Sequence, residues 1–429
     1  MKSHKENKNA IETLSRQFAK HFPEKLKGAR LIGREAEYPL VSKDGDAANV
    51  RKLWEPLLDG GGLKAIYETP DLIVGLSGQD CDFSLEVGWG TMELITRPCS
   101  ELGELAEIQE TYVKRLVKAA NEFDFNVLGY GIQPKTAGSL ELMSPKKRYG
   151  LLLERIGDAW LWFTSTASDQ VHVDITQEEV APMVSFGNLM APVFIALCGN
   201  SSIYAGENSS YCSSREAKMG EIFSDSHRHG MLEKPVITIQ EWIAFIVDQE
   251  FLMDKKKGQY YLQHNTFYDY LLNHEVDFDS FLMHDHYLWN SARPRTAHGT
   301  IELRAACQQP WEENMVVAAL GLALIEEETE ISAWLDSRLS DDLWSSLRRY
   351  HTDVIRDGLL ASEPFDGFLT GILERCEYAL DHRGNGESIY LKPLRKRIEE
   401  KMNPAQVARK HFIEGKLPQL LEYSTISVS

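Results

Sequence analysis

Trp289-Asn-Ser-Ala-Arg293-Pro-Arg295-Thr-Ala-His-Gly299-Thr-Ile301-Glu302-Leu303-Arg304 is the stretch whose reading decides the fold. From Gly299 to Ala305 it alternates, Ile301 and Leu303 to one side, Glu302 and Arg304 to the other. A period of two with β-branched residues predicts a strand with one apolar and one polar face. A carboxylate and a guanidinium two residues apart then look into the same space. Glu302 can hold a cation there, and Arg304 can fork onto phosphate oxygens. The plainer reading is a charged pair on a solvated strand face, and this stretch alone does not separate the two.

Working outward, the same pattern recurs. Arg30–Val41 reads as a strand with Glu35 and Glu37 on one face. Two side-by-side carboxylates repel, so a folded chain that aims them together needs a cation or protons to neutralise them. Gln79–Val87 and Thr91–Arg97 read as a hairpin turning at Gly88-Trp89-Gly90. If it centres near Trp89 and Gly90, Glu86 and Glu93 become cross-strand neighbours. Ser168–Ile175 alternates strictly, with Gln170, His172 and Asp174 on its polar face. There His172 can ligate a metal through its neutral ring or sit beside phosphate. Leu72–Leu76 and Phe125–Leu128 are further short strands. Lys135, in the loop that follows the latter, either reaches a phosphate or stays solvated.

Between these strands the spacing predicts helices over Lys5–Phe22, Asn49–Leu58, Ser100–Phe123 with Ser100 as N-cap, Gln177–Leu197, Thr238–Phe251 and Phe267–Leu272. The basic run Lys146–Tyr149 starts another. Asn208–Pro235 reads as a long irregular loop carrying Arg215, His227, Arg228 and His229, of the kind that covers an active site. After Pro310 every segment has helical periodicity. Residues 1–310 are therefore expected to form a catalytic α+β domain, with 311–429 a helical region packed on its sheet and not independent of it.

Composition excludes several functions. Forty-six basic against 64 acidic residues leave a formal charge of −18, which argues against nucleic acid or an anionic membrane as partner. With 43% apolar residues the acidity does not signal disorder. No apolar run is long enough to span a bilayer, and the charged opening MKSHKENKNAIETL lacks a signal core, so a cytoplasmic location is expected. The six cysteines are irregularly spaced without a CxxC pair, as reduced packing thiols would be. A homo-oligomer is compatible with the sequence, the C-terminal helices being either an interface or only packing.

Glu35, Glu37, Glu86, Glu93, His172 and Glu302 all fall on polar strand faces, with Arg304 beside them. Two like charges about 4 Å apart repel by roughly 4 kcal/mol at an effective dielectric near 20. Divalent cations turn that repulsion into attraction. Ligands dominated by oxygen suit Mg²⁺ or Mn²⁺ better than zinc or copper. A Mg²⁺ cluster with an arginine is the apparatus for gripping ATP and moving its γ-phosphoryl group. No Walker A motif or glycine-rich kinase loop is present, so such a site must be built from metals and side chains on a sheet.

The motifs, taken in order, resemble the glutamate–cysteine ligase family, in its plant-type and bacterial carboxylate–amine ligase branch. Gly33-Arg-Glu-Ala-Glu37 is similar to its first acidic strand, and Ser84-Leu-Glu86 with Met92-Glu-Leu-Ile-Thr96 to its paired acidic strands. Gly129–Lys135, Met143–Tyr149, Gln170–Asp174, Asn200-Ser201 and Ser214-Arg215 follow, and Arg293–Arg304 is the nearest match. The resemblance implies a glutamine-synthetase-like antiparallel sheet forming a funnel for Mg²⁺–ATP. It implies an acyl phosphate made from a carboxylate, with glutamate foremost, and then an amide made with an amine. It gives Glu35, Glu37, Glu86, Glu93, His172 and Glu302 as metal or nucleotide–metal ligands, Arg304 as the group that stabilises the transferring phosphoryl, and Arg215 as a contact to the acceptor carboxylate or phosphate. Glu302 and Arg304 are the expected catalytic residues, and Lys135, from its loop position alone, joins Arg215 and Arg304 as an expected cofactor contact. Two departures put the substrate in doubt: Ala305-Ala-Cys-Gln-Gln-Pro310 lacks an Asp that many members carry, and Val87-Gly-Trp-Gly90 is unusual. The alternatives are a guanidino-kinase-type phosphotransferase on the related fold and a non-catalytic nucleotide-binding member.

Overall fold

The computed structural model describes residues 4–223 and 226–428. Its centre is one antiparallel sheet of nine strands. In chain order these are β1 (Ile32–Ser42), β2 (Lys64–Thr69), β3 (Leu72–Ser77), β4 (Cys81–Leu85), β5 (Thr91–Thr96), β6 (Phe125–Val127), β7 (Ser168–Asp174), β8 (Ala292–Arg295) and β9 (Thr300–Cys307). Across the sheet they run β8-β9-β7-β1-β5-β4-β3-β2, with β6 paired to the far end of β1. The alternation in β1, β7 and β9 thus puts their acidic positions on one face and Ile32, Val171, Val173, Ile301 and Leu303 in the core on the other.

Two strands were not legible. β2 is an exposed edge with few apolar residues. β8 carries Pro294 and lies at the opposite edge, where a missing N–H costs no ladder bond. The region expected as one helix over 177–197 is two, Val180–Leu189 and Ala191–Cys198, bent by 41°. Pro192 sits in the first turn of the second, where it has no amide to continue the first. Among the described residues no single helix is long and apolar enough to cross a membrane. The helix Leu102–Asn121 is not capped by Ser100. The Glu387 carboxylate accepts from Leu102 N at 2.7 Å, so its cap comes from the other end of the chain.

The described residues after 310 are helical, and Val316–Glu326 joins Val180–Leu189 and Ala191–Cys198 against the sheet. Val316–Glu326 lies against β7 so closely that a Cβ on Gly321 would stand 2.6 Å from Val171 Cγ2. The chain then returns to the sheet: Ile426 N donates to Val127 O, and Gly129 N to Ser424 O, both at 2.8 Å. All six cysteines are buried free thiols.

On the core face Arg34 and Asp169 form a two-pronged ion pair, Nε–Oδ1 and Nη2–Oδ2 both 2.7 Å, with no exposed side-chain surface. Removing one partner strands a buried charge. Asp169→Ala is expected to cost about 3–5 kcal/mol, while Arg34→Met with Asp169→Leu recovers most of it. Urea unfolding of both variants checks this; a single variant as stable as the parent would refute it.

Candidate functional site

The polar face of β1, β5, β7 and β9 opens into a cavity of about 230 Å³. Register decides what meets there. Glu37 stands directly opposite Glu93 on β5, and Glu302 opposite His172 on β7. Two donor groups result, Glu35 with His172 and Glu302, and Glu37 with Glu86 and Glu93, each with its ligand atoms within 4.8 Å of one another. The predicted pairing of Glu86 with Glu93 is corrected in detail: Ser84 is the residue opposite Glu93. Glu86 lies just past the end of β4, in a connection wider than a tight turn. That connection is pinned at Gly88, where a Cβ would meet Thr164 O at 1.8 Å, so only glycine fits.

The two groups differ electrostatically. In the first, His172 Nε2 lies 3.1 Å from Glu35 Oε1, and its Nδ1 3.1 Å from Thr300 Oγ1. Burial would raise the Glu35 carboxyl, but His172 outweighs it and holds the carboxyl below its ordinary value. Glu302 sits among three arginines: Arg293 Nε at 2.6 Å, Arg295 Nε at 3.4 Å, and Arg304 Nη1. Against its burial, Arg293, Arg304 and Arg295 hold it well below the carboxylate range.

In the second group Glu37 accepts from Ser168 N at 2.6 Å, Ser168 Oγ at 2.7 Å and Gln170 Nε2 at 3.0 Å. Even so, burial and the Glu86 carboxylate push it up to about 7, against Arg215 and the Ser168 donors. Burial, then Glu86, Glu35 and Glu37, push Glu93 well above the usual range. Such a group wants a counter-ion. Both donor sets, oxygen-rich with one imidazole, fit hard divalent cations, and the chemistry of the residues present therefore suits Mg²⁺ or Mn²⁺.

A β-bulge shapes the phosphate side. Leu303 pairs with Val171 and Ala306 with Asp169, so β9 spends one extra residue between them. Arg304 and Ala305 consequently both line the cavity, where plain alternation would have sent Ala305 to the core. Arg304 Nη1 contacts Gln170 as well as Glu302. Where the sequence lacks the family's Asp, Gln308 Nε2 donates to Glu37 O at 3.0 Å and Gln309 Oε1 accepts from Arg397 at 2.8 Å, tying the strand end to the helices.

Arg215 lines the cavity but not from an irregular loop. It opens the helix Ser214–Ile222, whose N-cap is Ser213, and pairs with Glu216. Residues 224 and 225 of the expected loop lie outside the described residues. Lys135 is a correction. Its ammonium bonds Asp46 Oδ2 at 2.7 Å and Asp44 O at 3.1 Å on the surface, and it does not line the cavity. Lys135→Ala is expected to leave kcat/KM within about twofold, as surface substitutions away from a site do; a tenfold loss in steady-state kinetics would restore it to the site.

Sequence reading passed over several lining residues. Arg293 was quoted but not assigned; it faces Glu302 directly across the β8–β9 pair, and Pro294 hid that strand. Arg148, Arg295, His229 and His286 also line the cavity; Arg148 and Arg295 fall within recognised motifs without a role, and His286 falls outside them. The lining also includes Trp160, Phe163 and Trp289, with ring centroids 4.5–6.1 Å apart. The cavity thus combines charged and aromatic side chains, an arrangement for holding polyanions while shedding water.

Comparison with known proteins agrees with this geometry. The family model of glutamate–cysteine ligase family 2 (GCS2) matches residues 31–422. The chain is 23% identical over 394 residues to the chloroplastic glutamate–cysteine ligase of Medicago truncatula, covering 87% of this chain and 74% of that one. It is 22% identical over 395 residues to the Arabidopsis thaliana enzyme, covering 87% and 73%. Among solved structures, the glutamate–cysteine ligase of Francisella tularensis in complex with AMP superposes with a TM-score of 0.55 at 13% identity, over 94% of this chain and 88% of that one. The chain thus belongs to glutamate–cysteine ligase family 2 and is an enzyme of the carboxylate–amine ligase class.

Proposed function

We propose that the protein is an ATP-dependent carboxylate–amine ligase that works through an acyl phosphate. One observation carries the reading: the five carboxylates of the two donor groups and Arg304 line a single cavity, with His172 bonded to Glu35 just outside its lining. Glu35, His172 and Glu302 would hold one Mg²⁺ and Glu37, Glu86 and Glu93 another, with Mn²⁺ as an alternative, and these ions supply charge neutralisation for the triphosphate. The AMP named with the Francisella structure supports a nucleotide here. A carboxylate oxygen of the acid attacks the γ-phosphorus, and the bond to ADP breaks. Arg304 donates to the phosphoryl oxygens as charge develops, and Arg215 engages the acid or its phosphate. The amine nitrogen then attacks the acyl carbon, the C–O bond to phosphate breaks, and an amide and phosphate leave. The aromatic side chains keep water from the mixed anhydride. Residues 1–310 carry this chemistry in the proposal, and 311–429 support the sheet.

The names of the relatives make glutamate the first acid to try and cysteine the first amine, giving a γ-glutamyl product. Incubation with Mg²⁺–ATP, glutamate and a panel of amines, read by mass spectrometry, is expected to show amide, ADP and phosphate in equal amounts. A folded protein that binds Mg²⁺–ATP by calorimetry yet makes no amide from any acid would overturn the ligase reading. A phosphorylated product that accumulates without amine would point to a phosphotransferase instead.

A further inference from the structure

The reaction above requires a proton to leave the attacking nitrogen, and none of the residues assigned so far can take it. We propose that His229 is the base for the amine step; this rests on the ligase reading. The ring lines the cavity that contains Glu37, Glu93 and Arg304. Its seat is fixed by backbone. His229 pairs in parallel with Trp289, Trp289 N donates to Arg228 O at 2.6 Å, and Ser291 N donates to Gly230 O at 3.0 Å. The buried Arg228 side chain clamps the same segment, donating to Tyr287 O at 2.9 Å and to Glu250 O. The imidazole stacks on Phe223 at 6.3 Å and 27°. Its Nε2 lies 3.7 Å from Glu216 Oε2, beyond hydrogen-bond reach.

The other candidates are occupied. Both nitrogens of His172 are engaged, by Glu35 and Thr300. His286 Nε2 faces the Arg148 guanidinium at 3.4 Å. The carboxylates belong to the metal sets, or, for Glu216, to Arg215. The charged and titratable groups facing His229 are Glu216 and Arg215 from the helix Ser214–Ile222, Arg304 from β9 and His351 from the helix Leu343–Asp357. Burial first, then Arg215, His351 and Arg304, hold the ring well below its ordinary value, so it is neutral at physiological pH. The imidazole takes one proton from the bound ammonium and passes it to solvent, freeing the lone pair. The C–N bond then forms, the C–O bond to phosphate breaks, and a second N–H proton leaves with the phosphate. The products are one amide, one hydrogen phosphate and one proton.

The test uses the full chain with Mg²⁺–ATP, glutamate and either an alkyl amine, protonated at neutral pH, or hydroxylamine, which is not. In His229→Gln and His229→Ala, amide formation is expected to fall about 10²–10⁴-fold in kcat. Hydroxamate formation should fall only a few-fold, because acyl phosphate is still made and its trap is already unprotonated. The basic limb of the amide pH–rate profile should steepen, as hydroxide replaces the missing base. Equal loss with both acceptors, a rise in the KM for glutamate with kcat unchanged, or amide rates within a few-fold of the parent would each overturn the assignment of His229. No amide from the folded parent protein with any acid and amine of the panel, although it binds Mg²⁺–ATP, would overturn the ligase reading, and this assignment with it.

Discussion

Glu302→Gln is expected to lower kcat by at least about 10³-fold, and Arg304→Ala by about 10²–10³-fold, with smaller changes in KM. Glu302 is the shared member of two systems: it completes the donor set with Glu35 and His172, and it is the counter-charge for Arg293, Arg295 and Arg304. The glutamine keeps shape and one acceptor but removes the charge a cation needs. Glu302→Ala is the poorer variant. Three guanidiniums would lose their partner in a buried place, and a loss of several kcal/mol of stability is expected. Arg304 is half-committed to Gln170 and Glu302 and can swing onto a phosphoryl group when a cation takes over the carboxylate. Steady-state kinetics with circular dichroism as the folding control decides the matter. Near-normal turnover in a folded Glu302→Gln or Arg304→Ala variant would remove that residue from the chemistry.

Binding of Mg²⁺ is expected to release protons, and its apparent affinity to rise about tenfold per pH unit for each proton displaced. The protons come from Glu37, raised to about 7, and Glu93, raised well above its ordinary value. The sign follows from the direction of the shift. A carboxyl whose folded value exceeds its ordinary 4.5 binds its proton more tightly when folded, so the metal-free protein loses stability as pH rises from about 4.5 to about 7 and keeps that penalty above it. Mg²⁺ cancels the penalty only where the carboxyls have ionised. The rise in melting temperature caused by Mg²⁺ is therefore expected to be larger at pH 8 than at pH 6, and to shrink in Glu93→Gln. Calorimetry in buffers of different ionisation enthalpy counts the protons; a pH-independent affinity without proton release would refute the assignment of this group.

Both results depend on residues that were legible at different levels. Glu35, Glu37, His172 and Glu302 could be placed on polar strand faces because alternation in a strand is local. Lys135 looked equally apt, but its partner Asp46 is 89 positions away, and nothing local announces that pairing. Arg293 stood in plain view, but Pro294 made its strand unreadable until the edge position explained the proline. His229 had no pattern around it, since its seat is made by Trp289, Arg228 and Glu250.

What the sequence by itself determined is which side chains share a face: acidic and imidazole positions at alternate residues of β1, β7 and β9, with aliphatic ones between them. Only the tertiary structure decided which of those faces meet. Glu37 against Glu93, Glu302 among three arginines, and the bulge that turns both Arg304 and Ala305 to the cavity are consequences of register. Register is fixed by pairings between strands as much as 141 residues apart, such as Ile32 with Val173. The total burial across the whole sheet selects it, and no short window of residues contains that sum.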